Sequence, residues 1–170
     1  MPGLPSYTTV FGSLDDYRKG EIDLIDDDPV RYAFSNIFEV ASTSRPYEKI
    51  AVGKNRQYVL EAIRAEGTSG WRTAPHDEFA LVMDGEVEIR LRKLGPDDPV
   101  ATAPRGSNQL SAEPGGPPMG RVVGRRGHMT LLPVGAAYQF HADSPSVILL
   151  QTQDGPDTVY KWAEIIQTVP

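Results

Sequence analysis

Alternation of apolar and polar side chains along the middle of the chain predicts β-strands. In residues 87–91 a valine, an isoleucine and a leucine stand at every second position, with charged side chains between them. A period of two places the apolar side chains on one buried face and the charged ones in solvent. The apolar residues 79–83 precede this run, and the Asp84-Gly85 pair between the two is typical of a type I′ turn. The pattern therefore predicts a hairpin that turns at Asp84-Gly85.

The same reasoning predicts several further strands. They are expected at residues 21–28, 31–40, 48–53, 58–64, 121–124, 129–132, 137–141 and 147–151, with turns at 53–55 and 66–70. The last strand is an almost continuous apolar run, which is typical of a strand buried on both faces. Short strands at regular spacing with turns between them indicate an all-β sandwich or barrel.

Two helices are expected near the ends of the chain. Residues 13–20 begin with a capping Ser13, carry acids in the first turn and bases in the last, and stop at a glycine. Residues 158–167 place Trp162, Ile165 and Ile166 on one side. This spacing predicts a closing helix that carries Trp162 into the core.

A segment rich in proline and glycine interrupts the strands at residues 95–120. At that density of prolines we expect no regular element. Long loops inside compact domains are usually functional or mobile. We interpret the segment as an insertion, a flap or a docking arm, within one domain that spans residues 1–170. An N-terminal arm is expected at residues 1–12 and a barrel at about 30–155.

Composition and charge exclude several classes of protein. The chain of 170 residues has a net charge of −6 and no cysteine. An acidic chain lacks the basic face that a nucleic-acid binder needs. Without cysteine there is no disulfide scaffold, thiolate metal site or thiol nucleophile. The sequence shows no signal peptide and no apolar run of membrane-spanning length, so we expect a soluble cytoplasmic protein.

Two stretches resemble the paired motifs of the cupin superfamily, a double-stranded β-helix with a jelly-roll-like barrel. Glu78 stands seven residues before Gly85, as the glutamate and glycine of the first cupin motif do. Gly127, Pro133 and Gly135 have the spacing of the second motif. The resemblance covers about residues 59–153 and implies a cupin barrel.

The metal ligands of the cupin motifs do not carry over with the spacing. The histidine positions of the first motif fall on Arg72 and Ala74, and that of the second falls on Tyr138. Only Glu78 remains of the four ligand positions. A divalent metal needs about three protein ligands, with open positions left for substrate. We therefore expect no metal in this chain.

A shifted metal site is the alternative that the histidines leave open. His76 and Glu78 are two residues apart and lie on one face if they belong to a strand. With His128 or His141 they would form the set of two histidines and one carboxylate that holds non-haem Fe(II). In that case the chain would be a self-sufficient metal cupin.

The chain as a whole is similar to the small (alpha) subunit of two-component hydroquinone 1,2-dioxygenases. The similarity is carried by residues 47–54, 61–69 and 136–143. It implies a larger cupin partner that carries Fe(II) and cleaves the ring of hydroquinone with O2 to 4-hydroxymuconic semialdehyde. Such enzymes serve the degradation of aromatic compounds such as 4-nitrophenol. A non-catalytic cupin that binds a small molecule is the alternative outside the enzymes.

Four side chains are candidates for a phenolic substrate pocket. Trp71 either stacks on the substrate or plugs the end of the barrel. One alternative for Arg72 is an ion pair with Glu78 in place of a metal. Tyr138 either donates its hydroxyl to a ligand or to Glu78, or is a buried tyrosine whose hydroxyl is satisfied elsewhere. The aromatic and apolar side chains expected to face the partner subunit are Phe34, Ile37 and Phe38.

Overall fold

The structure is a computed structural model that describes residues 12–17, 36–98 and 103–161. It contains one helix and ten strands in these ranges. They are α1 (Ile37–Thr43), β1 (Lys49–Asn55), β2 (Tyr58–Thr68), β3 (Arg72–Thr73), β4 (Glu78–Asp84), β5 (Glu86–Lys93), β6 (Asn108–Gln109), β7 (Pro118–Arg125), β8 (Met129–Leu132), β9 (Ala136–Gln153) and β10 (Thr158–Val159). No helix in these ranges is long and apolar enough to cross a membrane.

Strand β9 is the centre of the fold. Its first half pairs with β3 and β5, and its second half pairs with β4. β2 pairs antiparallel with β9 along much of the length of β9, and the register of this pair shifts between Ala65 and Gly67. The remaining strands extend these pairs into one ten-stranded sheet. The prediction of an all-β fold is confirmed.

The main core lies between the two halves of this curled sheet. Val87 and Ile89 of β5 and Ile148 and Leu150 of β9 are fully buried in one cluster. The alternation predicted for residues 87–91 is thus confirmed. On the other face of β9, Leu149 packs into a second cluster, between the sheet and α1. Burial on both faces explains why residues 147–151 are almost continuously apolar.

The predicted hairpin at Asp84-Gly85 is wrong. β4 and β5 follow one another but do not pair, because each pairs with a different half of β9. Gly85 has a φ of 76°. A Cβ on Gly85 would lie 2.7 Å from Cβ of Ser146. The pair is a tight corner between two parts of the sheet, and a type I′ turn would have needed a positive φ at Asp84 as well.

The expected helices and the first strands also differ from the structure. Within the range predicted as a strand at residues 31–40, residues 36–40 belong to the cap and first turn of α1. The Asn36 side chain accepts a hydrogen bond from the N–H of Phe38 and caps this helix. Residues 14–16 form a bend, and Ser13 Oγ accepts from the N–H of Asp16. The predicted strand at 21–28 and residues 18–20 and 31–35 lie outside the described ranges.

The predicted closing helix is wrong where it can be compared. Thr158 and Val159 form β10, which pairs in parallel with Lys49 and Ile50. Trp162 and the rest of that prediction lie outside the described residues. The turn predicted at residues 53–55 is also wrong, because these residues belong to β1 and the chain reverses at Arg56, whose φ is 57°.

The insertion contains regular structure that its proline content did not predict. β6 lies within it and pairs with β3, with Arg72 opposite Gln109. β7 begins at Pro118 and runs beside β5. Proline at the first position of a strand leaves the later N–H groups free to pair. The expectation of no regular element at residues 95–120 is therefore wrong.

Candidate functional site

The two cupin-like motifs meet in the interior of the sheet. β3 lies beside β9, with Arg72 opposite Tyr138. Glu78 at the start of β4 is fully buried, and Tyr138 is 2% exposed. Burial raises the pKa of Tyr138 well above its usual range, and the nearby Glu78 carboxylate raises it further. The side chains at two of the four motif ligand positions are therefore close to one another.

Two polar atoms of this pair are buried without a hydrogen bond that meets distance and angle limits. They are Glu78 Oε2 and the Tyr138 hydroxyl. The carboxylate raises the pKa of Tyr138, so the two groups lie close together, and the nearby Ser107 hydroxyl has the opposite effect on that pKa. The predicted choice for the Tyr138 hydroxyl, between a ligand and Glu78, stays a prediction.

A threonine joins Glu78 to His76. Thr152 Oγ1 donates to Glu78 Oε1 at 2.6 Å and lies 3.0 Å from Nε2 of His76. The backbone N–H of Gln153 lies 3.2 Å from the same Nε2. Nδ1 of this ring is buried without a hydrogen-bond partner. His76 lies before β4, outside the strand that the spacing argument required, and is linked to Glu78 through a hydroxyl that the sequence reasoning missed.

A buried ion pair close to Glu78 was also missed. Lys49 Nζ lies 3.0 Å from Glu61 Oε2, and the two side chains are at most 3% exposed. Burial raises the pKa of Glu61 against the opposing effect of the Lys49 ammonium, and Glu78 raises it further. The sequence did carry a signal for this site. Glu61 has the same parity as Val59 and Ile63 along β2, so a period of two puts its carboxylate on a buried face.

Arg72 does not pair with Glu78, so that prediction is wrong. Its Nη1 lies 2.5 Å from the Asp157 carboxylate. Asp157 lies just before β10 and is partly exposed to solvent. Its carboxylate therefore carries a charge at a lower desolvation cost than the carboxylate of the fully buried Glu78.

Trp71 is half-buried, and its backbone carbonyl accepts from the N–H of Leu110 at 2.8 Å.

The other two histidines lie apart from His76 and Glu78. His128 is exposed and contacts the backbone of Arg125. His141 Nδ1 lies 2.8 Å from the Thr68 hydroxyl, and its Nε2 lies 3.1 Å from Asp143. His141 also lines an open cavity of about 180 Å³ on the surface.

The donor set at the motif positions does not fit a metal ion. Ala74 has no donor, and Arg72 is a cation held by an acid. Within residues 12–17, 36–98 and 103–161, no group of three or more histidine, cysteine, aspartate or glutamate side chains could hold a metal. We derive no chemical step through a metal in this chain.

Solved structures decide the family. The chain is 51% identical to a chain of hydroquinone 1,2-dioxygenase PnpCD, determined with Cd2+ and 4-hydroxybenzonitrile, with a TM-score of 0.88 over 98% of this chain and 100% of that one. It is 53% identical to a chain of hydroquinone 1,2-dioxygenase from Sphingomonas sp. TTNP3 with 4-hydroxybenzoate bound, with a TM-score of 0.86 over 96% and 99%. The chain belongs to the hydroquinone 1,2-dioxygenase family. No protein-family model and no curated protein matches it.

A second kind of chain in this family shares the fold. A chain of hydroquinone 1,2-dioxygenase PnpCD in complex with Fe3+ matches at a TM-score of 0.60 and 14% identity, over 84% of this chain but only 40% of that one. A chain of the Sphingomonas enzyme in complex with 4-nitrophenol matches in the same way, with a TM-score of 0.60 and 15% identity, over 90% of this chain but only 42% of that one. Hydroquinone 1,2-dioxygenase PnpCD therefore contains chains of two lengths, and this chain is similar in length and sequence to the short one.

Proposed function

We propose that this chain is the small subunit of an Fe(II)-dependent hydroquinone 1,2-dioxygenase and that it binds no catalytic metal itself. Identity above one half over the full length of the short chain supports the subunit assignment. The larger subunit then supplies Fe(II), which activates O2 for opening of the hydroquinone ring. The expected product is 4-hydroxymuconic semialdehyde.

The observation that carries the metal-free assignment is the donor set at the motif positions. The fold has kept the carboxylate of Glu78 and placed it beside Tyr138, yet arginine, alanine and tyrosine stand where the histidine ligands of a cupin would be. Thr152 donates a hydrogen bond to the carboxylate instead, and Tyr138 lies beside it. Such a site binds and orients but has no group that activates O2.

The role proposed for this chain is to wall a pocket for a flat phenolic ring. Trp71 stands at the entry to β3, directly before the first lost histidine position, and is not fully buried. An indole stacks on an aromatic ring and excludes water from one of its faces. Arg72, Tyr138 and Glu78 lie beyond it and complete the candidate substrate-binding set. In this proposal they orient substrate, and the redox chemistry belongs to the partner.

Co-expression with the larger subunit tests the proposal. We expect the two chains to copurify, the complex to contain iron and cleave hydroquinone, and the isolated small chain to contain none. Iron or manganese bound at one equivalent by the isolated chain, and lost in Glu78→Ala, would show a self-sufficient metal cupin. In that case His76, His128 and His141 would be tested next as ligands. An isolated chain that binds a small molecule tightly and no larger chain would show the binding protein instead.

A further inference from the structure

The proposed function uses neither Lys49 nor Glu61, yet this buried pair joins β1 and β2 to two segments that are distant in sequence. Lys49 in β1 and Glu61 in β2 form the pair itself. The Lys49 ammonium also donates a short hydrogen bond to the Ser107 hydroxyl in the insertion. Glu61 Oε1 accepts from the Thr158 hydroxyl of β10 at 2.7 Å. One ion pair therefore holds the insertion, through Ser107, and residues 154–158, through Thr158 at the start of β10, against the sheet.

Those two segments also pack directly on each other. A Cβ on Gly106, whose φ is 74°, would lie 2.5 Å from Cα of Gly155. A Cβ on Gly155 would lie 2.7 Å from the carbonyl oxygen of Arg105. Nη1 of Arg105 lies 3.5 Å from Oδ1 of Asp154, which adds an ion pair between the same two segments. The two backbones approach so closely that displacement of one segment requires displacement of the other.

The insertion in turn holds the segment that carries Trp71. β6 directly follows Ser107 and pairs with β3. Leu110 donates its N–H to the Trp71 carbonyl. The Gln109 side chain lies so close to Gly70 that a Cβ there would meet its Nε2 at 2.9 Å. On the other side, Arg72 pairs with Asp157, which belongs to the segment before β10. Trp71 is therefore positioned from both sides by segments that end at the buried pair.

We propose that Lys49 and Glu61 form a latch that fixes the insertion over β3 and so positions Trp71 for substrate binding. Lys49, Glu61 and Ser107 are positioning residues, which act through the segments that they hold together; the Ser107 hydroxyl also lies near the hydroxyl of Tyr138. A buried pair suits this role because removal of one partner leaves the other charge desolvated and uncompensated. The role of Trp71 in this inference rests on the proposed function, whereas the latch itself does not.

The test uses the full chain, kept dilute and well below its melting temperature so that it stays folded and unassociated, with Trp162→Phe, which leaves Trp71 as its single tryptophan. Lys49→Met with Glu61→Leu removes the latch while keeping apolar volume, a replacement that buried ion pairs often tolerate. Arg125→Met with Glu86→Leu is the matched control, because it removes an ion pair whose side chains are 74% and 53% exposed. Ser107→Ala removes only the hydroxyl and covers the case in which the double variant does not fold.

Two measurements report on the latch without any catalytic assay. On loss of the latch we expect hydrogen exchange in residues 105–110 to rise about tenfold and acrylamide quenching of Trp71 to rise about twofold, because local opening becomes easier. Hydrogen exchange in the strand pairs β4–β9 and β5–β9 should stay unchanged. In the control variant, both hydrogen exchange in residues 105–110 and quenching of Trp71 should stay at wild-type values. Wild-type exchange in 105–110 together with wild-type quenching, in the double variant or in Ser107→Ala, would overturn the latch.

Assay of the complex with the larger subunit separates this inference from the proposed function. A mobile Trp71 should raise KM for hydroquinone about threefold or more, whereas kcat and the iron content of the complex should not change. If residues 105–110 and Trp71 loosen but KM does not change, the latch stands and the substrate role of Trp71 fails. If KM rises while both probes stay at wild-type values, the latch fails and the proposed function is untouched.

Discussion

Trp71 is the residue whose substitution tests the proposed substrate pocket most directly. Trp71→Ala removes the stacking surface, and contacts of this kind contribute about 0.5–1.5 kcal/mol beyond burial. We expect KM for hydroquinone to rise about tenfold in the assembled enzyme, since 1.4 kcal/mol corresponds to one decade. Steady-state kinetics on an iron-loaded complex is the measurement.

Trp71→Phe is the matched control for that experiment. Phenylalanine keeps a flat ring at the position, so we expect part of the affinity to return. If Trp71→Ala leaves both KM and kcat unchanged in a complex with full iron content, the indole only fills the end of the barrel. A structure with a bound phenolic inhibitor then shows what lines the pocket instead.

Tyr47 gives the chain a defined sensitivity to alkaline pH. Burial raises its pKa from the ordinary 10.0 to about 12, and its hydroxyl donates to the Gly67 carbonyl at 2.6 Å. The folded state holds this proton at pH values where the unfolded chain releases it, so the contribution is present below pH 10 and lost as the pH rises towards about 12. We expect the urea midpoint to fall across this window.

Substitution of Tyr47 tests the assignment of that fall. Tyr47→Phe should reduce the loss of stability between pH 10 and about 12, while the buried Tyr138 accounts for part of what remains. Tyr58 is 49% exposed and serves as the control position. An equal fall in wild type and Tyr47→Phe, followed by circular dichroism, would assign the effect to other groups.

Gly85 is the residue on which the corner between β4 and β5 depends. In Gly85→Ala a side chain has to adopt a φ of 76°, and its Cβ would lie 2.7 Å from Cβ of Ser146. Strain of this kind costs about 1–3 kcal/mol, so we expect the free energy of unfolding to fall by that amount or more. Gly120→Ala is the control, because a Cβ there meets no atom within 4 Å. Equal urea midpoints for the two variants would contradict this account.

At the scale of elements, Thr152 joins β9 to the start of β4. Its hydroxyl is the described hydrogen-bond donor to the fully buried Glu78. Thr152→Val leaves that carboxylate oxygen without a donor, which costs about 1–3 kcal/mol of stability, and more if the carboxylate stays charged. Thr152→Ser keeps the hydroxyl and should lose much less. If the valine and serine variants unfold at the same urea concentration, the hydrogen bond contributes nothing measurable.

Elements were predictable from the sequence where a single period dominated. β5, β8 and the second half of β9 follow from alternation or from a continuous apolar run. α1 did not, because its aromatic and β-branched residues favour a strand locally, and packing against the sheet through Phe38 and Val40 overrides that preference. A segment of seven residues or fewer spans too few periods for its pattern of apolar positions to distinguish a helix from a strand.

The candidate site was predictable only in part for a different reason. The motif spacing placed Glu78 and Tyr138 correctly, since both follow from strands in fixed register. Arg72 was given the wrong partner because Asp157 is 85 residues away in sequence. Pairing across such separations is set by the topology of the sheet. The corner at Gly85 failed for the same reason, since it depends on β9 and not on the two residues of the turn.

At the scale of the whole molecule, the apolar residues at the surface are not those expected from the sequence. Phe38 is 7% exposed and packs on Tyr17, so the prediction that it faces a partner is wrong. Ile37 is also packed against core clusters, and Phe34 lies outside the described residues. Instead Phe79 and Leu131 lie side by side across β4 and β8, at 39% and 46% exposure.

An exposed apolar row makes an isolated subunit prone to association. We expect the chain alone to aggregate or melt early, and its melting temperature to rise when the larger subunit is added, because binding to the folded state stabilises it. Differential scanning calorimetry with and without the larger subunit measures this. A monodisperse chain that melts cooperatively, with no gain on addition of the larger subunit, would contradict the prediction.

The late position of β9 in the chain has a consequence for synthesis. β2, β3, β4 and β5 all pair with a strand that begins only at Ala136. During translation these strands leave the ribosome before their common neighbour exists, and at about 5–20 residues per second they wait several seconds with unpaired edges. A nascent chain stalled before Ala136 should therefore remain sensitive to protease and bind chaperones. Release of residues up to Gln153 should make it resistant.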